Sequence, residues 1–163
     1  MNEADLKNNP EIILLVGLPG SGKSTWLKDF IKKSTKSWVI CSTDNILDDY
    51  ALKNNVTYSQ AFNEHIKEAE KRFKQELLSA LAAKENIIVD RTNLSKKSRN
   101  RILANVPKNY IKIAKVFNVD RTELNKRLLD REFNTGKSIS QSVVDNLSAI
   151  YQEPDSNKFN HIW

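Results

Sequence analysis

The chain has 163 residues, 39% of them hydrophobic and 28% charged, which suits one globular domain with a single core and leaves no room for a second. No apolar run approaches the roughly 20 residues that cross a bilayer, so a membrane-spanning helix is excluded and a soluble protein is expected. The net charge of +6 favours phosphate-rich partners electrostatically without singling out nucleic acid.

In chain order, Met1 to Pro10 is polar and reads as a flexible N-terminal tail, not as a signal peptide, because it lacks the apolar central region. Residues 11–163 then form one domain. Ile12 to Val16 is a fully apolar run ending at Gly17, as in a strand buried on both faces. Trp26, Leu27, Phe30 and Ile31 fall at helical spacing, which predicts a helix from Ser24 to about Lys33. Trp38 to Cys41 is a second strand. Its lone cysteine excludes an internal disulfide and reads as a small buried hydrophobe in a reducing cytoplasm. Thr57 and Gln60 resemble a capping box, and Phe62, Ile66, Ala69, Phe73, Leu77 and Leu81 continue a long amphipathic helix to about Lys84. Ile87 to Val89 is a third strand, Ser95 caps a basic helix, and Ile111 to Val119 is a fourth strand. Helices follow over Thr122 to about Phe133 and Ser140 to about Tyr151, the latter with a stripe of Val143, Leu147 and Ile150. Pro154 to Trp163 gives no pattern. Strands alternating with helices imply an α/β fold: three layers, with a mostly parallel sheet of four or five strands between helices.

Gly17-Leu18-Pro19-Gly20-Ser21-Gly22-Lys23-Ser24 fits G-x-x-x-x-G-K-[ST] and lies between a strand and a helix, as that motif requires. Residues without a Cβ let successive N–H groups curl around a triphosphate, and the helix N-terminus adds partial positive charge. The expectation is a nucleoside triphosphate, ATP with Mg²⁺. Gly17, Pro19, Gly20, Ser21, Gly22, Lys23, Ser24 and Thr25 are the candidate nucleotide-binding residues. Lys23 reaches the β- and γ-phosphates, and the Ser24 hydroxyl takes a Mg²⁺ coordination site.

Ligands of open parallel sheets gather at the carboxyl ends of strands, where Asp44 and Asp90 both fall. Asp90 closes an apolar strand beside the phosphate loop and suits a Mg²⁺ or its water shell. Its alternative task is to cap the turn before Asn93. Asp44 can accept the proton of an attacking hydroxyl. Alternatively Ser42, Thr43 or Asp44 simply caps a helix covering Ile46 to Leu52.

Arg127 and Arg131 are four apart on one helix face and can fold over the nucleotide as a lid, where an arginine neutralises the γ-phosphate. Arg127 can equally pair with Glu123 on the surface. Lys96, Lys97, Arg99 and Arg101 crowd one helix, as a nucleic-acid patch or as a solvated face.

Together GLPGSGKSTW, the aspartate of STDN, IIVDRTNL and KVFNVDRTELNKRLLDR resemble the 5′-hydroxyl kinase domain of the phage polynucleotide kinase family, over about Ile12 to Tyr151. The resemblance implies a P-loop kinase fold with a helical lid and transfer of the ATP γ-phosphate to the 5′-hydroxyl end of DNA or RNA. It casts Asp44 as general base and Arg131 as lid arginine, helped by Arg127, and puts Thr92 and Asn93 near the active centre. One departure is Leu47, where the family carries an arginine that grips an acceptor phosphate. A second is the absence of room for the companion phosphatase domain. The alternatives are a kinase of a nucleoside, sugar or nucleotide-sugar, and a nucleotide-dependent binding module without transfer.

Overall fold

A computed structural model of the chain describes residues 8–163. Most of the expected tail, residues 1–7, lies outside the described residues. Pro10 already belongs to the fold, since its carbonyl accepts a hydrogen bond from the Ile111 amide (2.9 Å).

Among the described residues the elements are β1 (Glu11–Val16), α1 (Lys23–Lys33), β2 (Trp38–Cys41), α2 (Thr43–Asn54), α3 (Tyr58–Ala82), β3 (Asn86–Val89), α4 (Lys96–Leu103), β4 (Ile111–Val116), α5 (Arg121–Thr135), α6 (Gln141–Ile150) and β5 (His161–Ile162). The strands form one parallel sheet in the order β2-β3-β1-β4-β5. This is the expected three-layer α/β arrangement with five strands. Alternate β1 residues serve opposite faces. Ile12, Leu14 and Val16 pack with Phe73 and Leu77 of α3 and Ile102 of α4, while Ile13 and Leu15 pack with Leu27 of α1. A strand enclosed on both faces has no polar position there, which is why Ile12 to Val16 is wholly apolar.

The capping box at Thr57 is present in both halves: Gln60 N–H donates to Thr57 Oγ1 (3.2 Å), and Thr57 N–H donates to Gln60 Oε1 (2.9 Å). Cys41 is fully buried, and that burial pushes its thiol up to about 11, so it is protonated and inert at neutral pH.

Three expectations need correction, and one segment without a sequence pattern gains a structure. β4 stops at Val116: Phe117 donates a last N–H to Val16 of β1 (2.9 Å), and the chain then leaves the sheet for the Asp120 cap of α5. In α6 the buried residue is Val144, whereas Val143 and Ile150 are about half exposed. Its apolar contact is a small cluster with Leu124 and Leu128, too narrow for a full stripe. The unpatterned C-terminal segment supplies β5: Phe159 enters the core, and Trp163 N–H donates to Ala114 (2.8 Å).

The third correction concerns the basic helix α4. Arg99 is only 2% exposed, and its guanidinium donates to the carbonyls of Asn93 (2.8 Å), Leu94 (2.9 Å), Gln152 (2.8 Å) and Glu153 (3.2 Å). Lys96 is paired with Asp155 (2.9 Å). Arg99 therefore cross-links the loop after β3 to the segment after α6, and does not belong to an anion-binding surface. Arg99→Met leaves those carbonyls without their donor and is expected to cost roughly 3 kcal/mol in urea unfolding. Arg99→Lys should recover only part, since an ammonium cannot span four acceptors.

Candidate active site

The site lies where strand order reverses, beyond the carboxyl ends of β1 and β3. Its foot is Gly17, whose N–H donates to Thr92 (3.0 Å). A Cβ there would come within 2.6 Å of Ser21 Oγ and 3.0 Å of Phe117 Cβ, so a side chain would push the loop open. At its far end Gly22 has φ 103°, a region that L side chains rarely adopt, and α1 begins at the next residue.

No side chain caps α1. Among the described residues every other helix has one, on Ser42, Thr57, Ser95, Asp120 or Ser140. The first-turn amides of α1 are thus left for an anion, beside the positive end of the helix dipole. Ser21 Oγ, also buried, has no hydrogen-bond partner among the described residues. These are features that a phosphate chain would satisfy.

Lys23 folds back into the loop, its Nζ donating to the carbonyls of Gly17 (2.7 Å) and Leu18 (2.9 Å). Burial lowers its ammonium from the ordinary 10.5 to about 8; the charges of Asp90 and Asp44 act in the opposite sense, and Arg131 adds a smaller downward push. Burial also raises the Asp90 carboxyl, with Lys23 opposing. Asp90 follows β3 directly, its N–H bonded to Cys41 (2.9 Å). The turn beyond it is held by Asn93, which is 3% exposed at φ 47° and donates Nδ2 to Leu15 (2.8 Å). Thr92 and Asn93 thereby fix the loop's foundation through backbone contacts.

The cap of α2 is Ser42, which accepts from Asn45 N–H (3.2 Å). Asp44, in the first turn, is not consumed by capping. Its Oδ1 accepts from the Tyr58 hydroxyl (2.5 Å). Leu47, one turn on, is 1% exposed in the core, so it offers the cleft no cation.

Helix α5 covers the loop: a Cβ on Gly20 would lie 3.1 Å from Leu128. Arg127 pairs with Glu123 (3.0 Å), and its guanidinium also donates to Gly20 O (3.4 Å). Arg131 lines the same cleft of about 1470 Å³ as residues 19–25, Asp44, Asp90 and Arg127; Gly17 stands behind it. Sequence reasoning did not single out Tyr58, Asp48 or Lys137 of this cleft. Tyr58 was visible only as the residue after a helix cap, and Lys137 only as a lysine after a glycine.

Residues 12–154 match the model of the AAA domain family. The chain belongs to that family. It is similar to the L-seryl-tRNA(Sec) kinase of Methanococcus maripaludis, with 31% identity over 149 residues, covering 88% of this chain and 53% of the relative. It is also similar to a chain in a structure of the Pnkp1/Rnl/Hen1 RNA repair complex, with 31% identity and a TM-score of 0.67, covering 88% of this chain and 45% of that one. The chain therefore spans about half the length of these relatives. A gluconokinase from Sinorhizobium meliloti, at 14% identity and a TM-score of 0.57 over 94% of this chain and 81% of its own, shares the fold alone. The fold is that of P-loop kinases, as the sequence resemblance implied.

The lowered Lys23 value sets a pH test. Between about pH 8 and 10.5 the unfolded chain holds more protons at this residue, so its contribution raises stability as pH rises across that window. Phosphates favour the protonated amine. Nucleotide binding should therefore take up protons near pH 8 and weaken at higher pH. Calorimetry in buffers of differing ionisation enthalpy measures that uptake, which Lys23→Met should lack.

Proposed function

We propose that this chain is an ATP-dependent phosphotransferase that moves the γ-phosphate to a hydroxyl carried by nucleic acid, foremost the 5′-hydroxyl end of RNA or DNA. The observation that carries the reading is the Asp44 carboxylate: Ser42 caps its helix, leaving Asp44 on the cleft wall that also holds Lys23 and Arg131. Similarity at 31% identity both to a protein of an RNA repair complex and to a kinase named for a seryl-tRNA supports an acceptor attached to RNA.

Asp44 takes the proton of the acceptor hydroxyl as its oxygen forms a bond to the γ-phosphorus, while the bond to the β-phosphate oxygen breaks and ADP leaves. Lys23 and Arg131 neutralise the transferred group, Arg127 closes the lid, and the amides of residues 17–25 hold the rest of the triphosphate. Ser24 and Asp90 offer hard oxygen ligands for Mg²⁺, which when bound neutralises charge on the phosphate oxygens. Among the described residues no group of three or more His, Cys, Asp or Glu could hold a metal by itself. Two protein oxygens completed by phosphates and water suit Mg²⁺.

Purified protein is given γ-labelled ATP with 5′-hydroxyl RNA, 5′-hydroxyl DNA, seryl-tRNA, nucleosides and sugars. Label should enter the 5′-hydroxyl oligonucleotides, with binding that weakens steeply as salt rises. Label in seryl-tRNA alone would replace the end-kinase reading, and label in a sugar alone would refute a nucleic-acid acceptor. Asp44→Asn should keep ATP affinity while losing most transfer, about 100-fold or more in kcat.

A further inference from the structure

Asp44 and Asp48 are four residues apart on one face of α2, with two other side chains packed against them. Tyr58 is the first residue of α3, set immediately after the Thr57 capping box, and its half-buried ring packs on the core. Its hydroxyl donates to Asp44 Oδ1 at 2.5 Å, which leaves Oδ2 for a further partner. Burial, and then the bond to Asp44, raise the phenol's ionisation well above its ordinary range, so it stays a donor at every working pH.

The second side chain comes from the lid. Lys137 follows Gly136, where α5 ends, and its Nζ lies 4.7 Å over the Tyr58 ring and 2.8 Å from Asp48 Oδ1. Its side chain is only 19% exposed, far less than a surface lysine. An ammonium set between an aromatic face and a carboxylate is a defined seat, and it neutralises the charge nearest Asp44 on the same helix.

We propose that Tyr58 is a positioning residue, whose hydroxyl fixes the Asp44 carboxylate toward the acceptor while its ring seats the lid through Lys137. One rigid side chain then sets both the aim of the base and the height of the lid above it. The role rests on the reading of Asp44 as general base. It explains how an acceptor can be oriented although Leu47 is buried: the base is held by a neighbouring phenol, with no phosphate-gripping cation needed at that position.

Tyr58→Phe removes the hydroxyl and keeps the ring under Lys137. With γ-labelled ATP and a 5′-hydroxyl oligoribonucleotide, the variant should lose about tenfold in kcat, with KM for ATP and the thermal unfolding midpoint unchanged. If Tyr58 acts through Asp44, the Asp44→Asn, Tyr58→Phe double variant should be no slower than Asp44→Asn alone. Wild-type kcat in Tyr58→Phe, or a loss that adds in full to that of Asp44→Asn, would overturn the inference. Full activity in Asp44→Asn would instead sink the general-base reading on which it stands.

Discussion

A turn of main chain with no side chain at its foot makes this fold a nucleotide-binding one. At Gly17 the backbone passes so close to Ser21 and Phe117 that a single methyl group would not fit, and its N–H is tied to Thr92. That contact joins the ends of three neighbouring strands. β1 leads into the loop, β3 supplies the partner carbonyl through the turn that Asn93 holds, and β4 ends where Phe117 returns its N–H to Val16. The sheet is therefore more than a platform, because its register decides whether the loop's amides converge.

Convergence has an electrostatic cost. Lys23 is drawn out of water onto the carbonyls of Gly17 and Leu18, and Asp90 sits largely buried nearby; each is held away from its ordinary ionisation by desolvation and only partly restored by the other. A site arranged this way is unfavourable by itself, and under the proposed function it is phosphate and a divalent cation that would supply the missing charges. Cys41, two residues before the start of α2, meets the same desolvation without any compensating partner, and serves only as packing.

The parts of the molecule legible in the sequence were those fixed by local rules. An apolar run bounded by glycine, a capping box and a P-loop pattern each depend on residues within a turn or two, so β1, α3 and the phosphate loop followed directly. Asp44 was ambiguous because a carboxylate near a helix start has two uses, and the bond from Asn45 to Ser42 removes only the capping one. What stayed illegible depends on distant pairing. Arg99 stood in a run of basic residues that reads as a surface, yet it is buried because carbonyls more than fifty residues away come to meet it. β5 has two residues, too few for any periodicity, and exists because β4 offers it an open edge. Tyr58 and Lys137 meet only once the lid is folded.

The cross-link at Arg99 also bears on how such a chain can diverge. One foot of the lid is fixed where Phe117 joins Val16, and the other where the guanidinium grips the carbonyls of Gln152 and Glu153. Between those two anchors, α5 and α6 share a small apolar core of their own with Leu18, Val119 and Ile139. The stretch between the anchors also carries Arg131 and Lys137 to the wall of the cleft, so a change of length there would alter the cover of the cleft while both tethers keep their hold.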